Sequence, residues 1–263
     1  MGPGDGGEDG DLAGVLARHG FVAAEEEAAE LRDAAGGETG LLASLVRRRL
    51  AGEPLAWIVG GAPFCGARVA VLPGCYVPRW QSEPLARRAA ARLGPGGTAV
   101  DVCTGTGALA LALMAACPGA RVVGTDLDHR AVACARANGV EAYHGDLFGP
   151  VPPELHGAVD VVVGVVPYVP SPALALLPRD TLVFESPLAY DGGPDGADVL
   201  RRVVAGAPVL VRPGGALLLE TGAGQAAALA PDLARHGWTD VVVHGDEDGD
   251  ERFLEARFTS RGA

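Results

Sequence analysis

From residue 98 onward, short apolar runs of strand-forming residues alternate with helical stretches, and few architectures satisfy that alternation. Residues 98–102, 121–125, 140–143, 159–164 and 216–220 read as strands. ALALALMAAC and AVACARAN read as helices, as do the segments near 196–207 and 224–236. Strands written as nearly continuous valine and alanine are buried on both faces, so the pattern predicts a mostly parallel sheet covered by helices on each side. Residues 238–244 and 252–258, separated by the acidic turn GDEDGD, predict an antiparallel hairpin that closes the sheet. That turn lacks the terminal Glu and flanking helices of an EF-hand, and no metal site is expected there.

The chain before residue 84 has a different texture. Over residues 11–60, LAGVLARHG places Leu12, Val15 and Leu16 on one helical face, and EEEAAELRDAA and LLASLVRRRLAG repeat the spacing with Gly stops between. This predicts a small helical domain. FCGARVAVLPGCYVP, within 61–83, reads as a β-hairpin linker turning at Pro73-Gly74. Residues 84–263 form the α/β domain. Residues 1–10 are glycine-rich and acidic, with no basic region leading into an apolar run, and are expected to be a disordered tail rather than a signal peptide.

Composition narrows the function. The apolar fraction of 48% excludes a wholly disordered chain. Net charge is −12, and all 21 basic residues are arginine, a balance that argues against sustained contact with nucleic-acid phosphates. Arg47, Arg48 and Arg49 read as a solvated helix face. Five cysteines without a CxxC pair predict a reducing, cytoplasmic setting. The longest uncharged apolar run, near 107–117, is well short of the roughly 20 residues a membrane span needs.

The chemistry concentrates at strand ends. In AVDVCTGTGALALAL an acidic residue precedes a glycine loop that opens directly into a helix, allowing backbone to approach a ligand closely. In GTDLDHRAVACARAN, Asp126 stands about twenty residues after that loop, where a carboxylate accepts both hydroxyls of a ribose. A third glycine and a GxxxxGK[ST] motif are both missing, which argues against pyrophosphate cofactors and nucleoside triphosphates. A nucleoside without phosphates remains. HGDLF adds Asp146, which reads either as a group accepting from an adenine amino group or as a turn residue.

These blocks, with RRRLAGEPLAWIVGGAPFCGARVAV, VPRWQSE, VVPYVP, FESPLAYDGGPDGADVLRR and RPGGALLLETGAGQA, resemble the class I S-adenosylmethionine-dependent methyltransferases of the HemK/PrmC type. That family methylates the side-chain nitrogen of a glutamine in translation release factors. The resemblance implies a Rossmann-like, seven-stranded α/β domain behind a helical N-terminal domain and a hairpin linker, and S-adenosyl-L-methionine as cofactor. It implies that Asp101, Thr104, Gly105 and Gly107 shape the cofactor loop, that Asp126 and Leu127 hold the ribose side, and that Asp146 and Leu147 face the adenine.

The family's Asn-Pro-Pro-Tyr falls on Val165, Val166, Pro167 and Tyr168, so only its second half is retained. In the family, the Asn side chain and the next carbonyl hold the acceptor amide, and the aromatic residue packs beside the reacting nitrogen. Cys103 replaces the usual first loop glycine, Trp80 and Gln81 interrupt Pro-Arg-Pro, and Ser186 replaces the proline after Glu185. Trp80 reads as hairpin cover or as a substrate platform, and Glu185 as a structural partner or a pocket residue. Three readings of the whole stay open: a protein partner, the release factor, as substrate; a small-molecule acceptor; or a non-catalytic binder of the cofactor. A nucleic-acid substrate is disfavoured by charge and by Val165, and no membrane partner is expected.

Overall fold

The computed structural model describes residues 11–177 and 179–259, and the tail expected over 1–10 lies outside the described residues. The chain divides into two units, Met1–Gly61 and Ala62–Ala263.

The first unit carries helices α1 (Leu12–Arg18), α2 (Ala24–Ala35), α3 (Thr39–Leu50) and the single turn α4 (Leu55–Ile58). Asp11 caps α1 by accepting the Gly14 amide at 3.1 Å, and Gly36 ends α2 in the left-handed region that favours glycine. Leu16, Ala28, Leu31 and Leu45 close a small core. The arginine run is not a solvated face. Successive residues of a helix point about 100° apart, so three in a row cannot share one side. Arg49 turns inward, donating to both oxygens of Glu27 at 2.6 and 2.9 Å and lying 4.0 Å over the Phe21 ring, while Arg48 donates to Glu53.

The hairpin of β1 (Gly61–Phe64) and β2 (Ala67–Ala70) begins at the last residue of the first unit and otherwise belongs to the second. Its turn is Cys65-Gly66 and not Pro73-Gly74. Both central residues have positive φ, 48° and 77°, as a two-residue hairpin loop with the right-handed strand twist requires. Proline fixes φ negative and cannot fill the first of those places.

After α5 (Glu83–Leu93), with Pro84 in its first turn, the alternation begins. It runs β3 (Thr98–Val102), α6 (Ala108–Ala116), β4 (Arg121–Asp126), α7 (His129–Ala137), β5 (Glu141–His144) and β6 (Val159–Gly164). It continues through α8 (Arg179–Phe184), α9 (Asp198–Gly206), β7 (Val211–Glu220), α10 (Gln225–Arg235), β8 (Trp238–Gly245) and β9 (Glu251–Phe258). The seven strands order as β5-β4-β3-β6-β7-β9-β8, parallel except for β9, which runs antiparallel to β7 and β8.

Strand pleating sorts the side chains into two cores. Ala99, Val161, Val163 and Leu218 face Leu85, Ala89, Leu109 and Leu113 of α5 and α6. Val100, Val102, Val162, Leu217 and Leu219 face Leu200, Val203 and Leu229 of α9 and α10. From β3 the chain builds outward through β4 and β5, then returns to build the other way from β6. The strand order reverses between β3 and β6, and a crevice opens there beyond the carboxyl ends of the strands.

Candidate active site

One cavity of about 220 Å³ lies over the carboxyl ends of β3 and β4. Asp101, on β3, is almost fully buried; its Oδ2 accepts the Thr104 hydroxyl at 2.6 Å and the Ala110 amide at 3.2 Å. Its Oδ1 has no partner, and neither does the buried hydroxyl of Thr125 on the same cavity wall. Burial outweighs those two hydrogen bonds and pushes the Asp101 carboxyl up to about 7. The loop is held by Thr104 N–H donating to Thr125 O at 2.9 Å and Gly107 N–H to Thr104 O at 2.8 Å. At Gly105 a Cβ would meet nothing within 4 Å, so the backbone there borders open space. Cys103 has φ 58°, which is the physical reason glycine suits this position.

Asp126, at the tip of β4, accepts Gly105 N–H and Asp128 N–H, one on each oxygen, both at 2.9 Å. Burial raises its pKa against the pull of these bonds. Leu127, Asp146 and Leu147 line the same cavity. Asp146 is already engaged, accepting from Arg202 of α9, so its carboxylate sits in an exposed ion pair at the rim rather than bare in the pocket.

A second cavity, of about 270 Å³, lies beside the first along β6, β7 and β9. Val165 lines both cavities, at the place where they meet. Pro167 lines the first, and Val166 and Tyr168 line the second, although the Val166 side chain, 1% exposed, packs mainly into the core. Tyr168 O accepts the Gln225 side-chain amide at 2.8 Å, and its hydroxyl donates to Glu220 Oε1 at 3.0 Å. The other Glu220 oxygen accepts Ser82 Oγ–H at 2.5 Å. Burial raises the Glu220 pKa and the Tyr168 pKa, the latter also because Glu220 lies beside it.

Residues that motif reading did not single out complete this cavity. Arg79 donates to Glu185 at 3.2 Å and to the Tyr190 hydroxyl at 3.2 Å, and its guanidinium lies 5.2 Å from the Tyr76 ring. Tyr76 and Tyr190 meet edge to face at 5.6 Å, and burial pushes the Tyr76 hydroxyl up to about 12. Glu185 is therefore a structural partner beneath the pocket. Trp80 is 72% exposed, so most of its ring faces solvent. A signal for Glu220 was present: like Asp101 and Asp126, it is an acid at the carboxyl end of a parallel strand.

Among the described residues no His, Cys, Asp and Glu cluster could hold a metal ion, and no helix is long and apolar enough to cross a membrane.

Residues 99–178 match a family profile described as a methyltransferase domain. The chain is 34% identical over 219 residues to the release factor glutamine methyltransferase of Geobacter sulfurreducens, covering 81% of this chain and 76% of that one. It is 40% identical over 201 residues to the 4-amino-L-phenylalanine/4-methylamino-L-phenylalanine methyltransferase of Streptomyces pristinaespiralis, covering 72% and 68%. Its fold is similar to that of the ribosomal protein L11 methylase of Lactobacillus delbrueckii subsp. bulgaricus, with a TM-score of 0.51 at 16% identity over 74% of this chain and 86% of that one.

Proposed function

The chain belongs to the HemK/PrmC family of release factor glutamine methyltransferases and is an S-adenosylmethionine-dependent methyltransferase; within that family we propose that its acceptor is the amine nitrogen of a small aromatic molecule.

The residues present fit the cofactor. When bound, S-adenosylmethionine supplies a methyl group on a positively charged sulfur. Asp126 would hold the ribose hydroxyls, Leu127 and Leu147 would flank the adenine, and the open backbone at Gly105 would let the nucleoside sit close. The partnerless Asp101 Oδ1 suits the ammonium of the methionine tail, because a buried carboxylate without a counter-charge is unfavourable.

The acceptor reading rests on one observation, Val165 at the junction of the two cavities. An amide nitrogen has a delocalised lone pair and needs acceptors pulling on its hydrogens. A hydrocarbon wall leaves one amide hydrogen unpaired, at a cost of roughly 1–3 kcal/mol. A neutral aryl amine keeps a more available lone pair and needs orientation more than polarisation, which Val165, Pro167 and the tyrosine-lined wall supply. The relative that acts on 4-amino-L-phenylalanine supports this chemistry.

The test is mass spectrometry after incubation with S-adenosylmethionine and either 4-amino-L-phenylalanine or a release factor. Methylation of the aryl amine is expected. Methylation of the release factor glutamine alone would return the chain to the family's protein substrate.

A further inference from the structure

The second cavity holds polar groups that the proposed methyl transfer does not use. Thr221, just past the end of β7, is 3% exposed and lines that cavity, yet its hydroxyl has no hydrogen-bond partner. Arg252, on β9, lines the same cavity. The two are neighbours across the strands, with Thr221 N–H donating to Arg252 O at 3.0 Å. Asp246 takes Nε and Nη2 of Arg252 on a single oxygen, and among the described residues nothing takes Nη1. A buried hydroxyl without a partner and a guanidinium nitrogen without an acceptor thus line the same cavity.

We infer that Arg252 and Thr221 bind the carboxylate of the acceptor, so that the small aromatic amine is an amino acid or a close analogue; this rests on the acceptor reading above. Guanidinium and hydroxyl donors match the two oxygens of a carboxylate. Glu220, one step closer to Val165, would repel a lone anion. Each of its oxygens carries one hydrogen bond and has room for another, which suits the α-ammonium of the same amino acid. The spacing agrees. Val165 follows β6, Glu220 ends β7 and Arg252 lies on β9, so the reacting nitrogen and the carboxylate site are two strand spacings apart, about 10 Å. A ring with an amine at one end and an amino-acid side chain at the opposite end spans that gap. Tyr76, Tyr168 and Tyr190 line the cavity that the ring would cross.

The test measures binding and turnover together on the full chain. With S-adenosylhomocysteine bound, calorimetry compares 4-amino-L-phenylalanine with 4-(2-aminoethyl)aniline, the same molecule without its carboxylate. The amino acid is expected to bind at least tenfold tighter. Arg252→Gln should remove that preference while leaving the affinity for the decarboxylated amine unchanged, and Thr221→Val should give a smaller loss of the same kind. In turnover the effect should fall on KM rather than kcat. Equal binding of the two amines by the unaltered chain, or an equal loss of both in Arg252→Gln, would overturn the carboxylate site. A preserved binding preference without methylation of either amine would support the site and overturn the acceptor reading instead.

Discussion

Tyr168 donates its hydroxyl hydrogen to Glu220 at 3.0 Å, joining the one aromatic residue retained from the family motif to a buried carboxylate of the second cavity. Tyr168→Phe removes one of the two hydroxyls that donate to Glu220. The variant should lose about 1–3 kcal/mol of stability at neutral pH. Its affinity for S-adenosylhomocysteine should not change, because Tyr168 does not line the first cavity, proposed to hold the cofactor. Thermal melts and calorimetry on one preparation read both, and a weakened cofactor would show that the two cavities are not separable.

Asp101 makes stability fall as pH rises. Its carboxyl rises from 3.8 to about 7 on folding, so between about pH 4 and pH 7 the folded chain keeps a proton that the unfolded chain has lost. Stability therefore falls as pH rises through that window and levels off above it. In Asp101→Asn the side-chain carbonyl still accepts from Thr104 and Ala110, and the slope disappears. Relative to the unaltered chain, the ligand-free variant should gain about 2–3 kcal/mol between pH 5 and pH 8 in denaturant titrations. It should also bind S-adenosylmethionine about tenfold or more weakly. A parallel pH dependence in the two chains would place the titrating group elsewhere.

Val165→Asn separates the two acceptor chemistries by sign. On an aryl amine, the new amide lacks a partner at the junction of the cavities and should lower kcat/KM by roughly ten- to a hundredfold. On a release factor, it restores an acceptor for the glutamine amide and should raise the rate about tenfold. If neither rate moves, residue 165 does not face the acceptor.

In the helical unit, Arg49 and Glu27 form a two-bonded ion pair, with side chains only 9% and 13% exposed. Arg49→Met strands a buried carboxylate and should cost about 3–5 kcal/mol. Adding Glu27→Gln to that variant should recover a large part of the loss, because the stranded charge is then gone. Urea unfolding of the two variants decides it, and an Arg49→Met chain as stable as the original would mean the pair is solvated in solution.

What the sequence determined by itself was local and periodic. Continuous valine runs predict strands buried on both faces. A Gly loop between strand and helix predicts a backbone open to close approach, and an acid at the tip of the second strand predicts a carboxylate lining the same cavity. Each of these signals lies within about ten residues, where side-chain period and backbone sterics act directly. The sequence points to the wrong hairpin turn because Cys65 adopts a left-handed conformation that composition does not advertise, while Pro73-Gly74 looks like a turn. The inward turn of Arg49 is not legible in the sequence, because only the packed helices present it with Glu27 and Phe21. The second cavity was decided by tertiary structure alone. Tyr76, Val165, Glu220 and Arg252 come from segments far apart in the chain, and they meet only because strand order reverses between β3 and β6 and β9 inserts beside β7. Residues brought together by strand order share no local period, and the contacts that select them exist only once the sheet has formed.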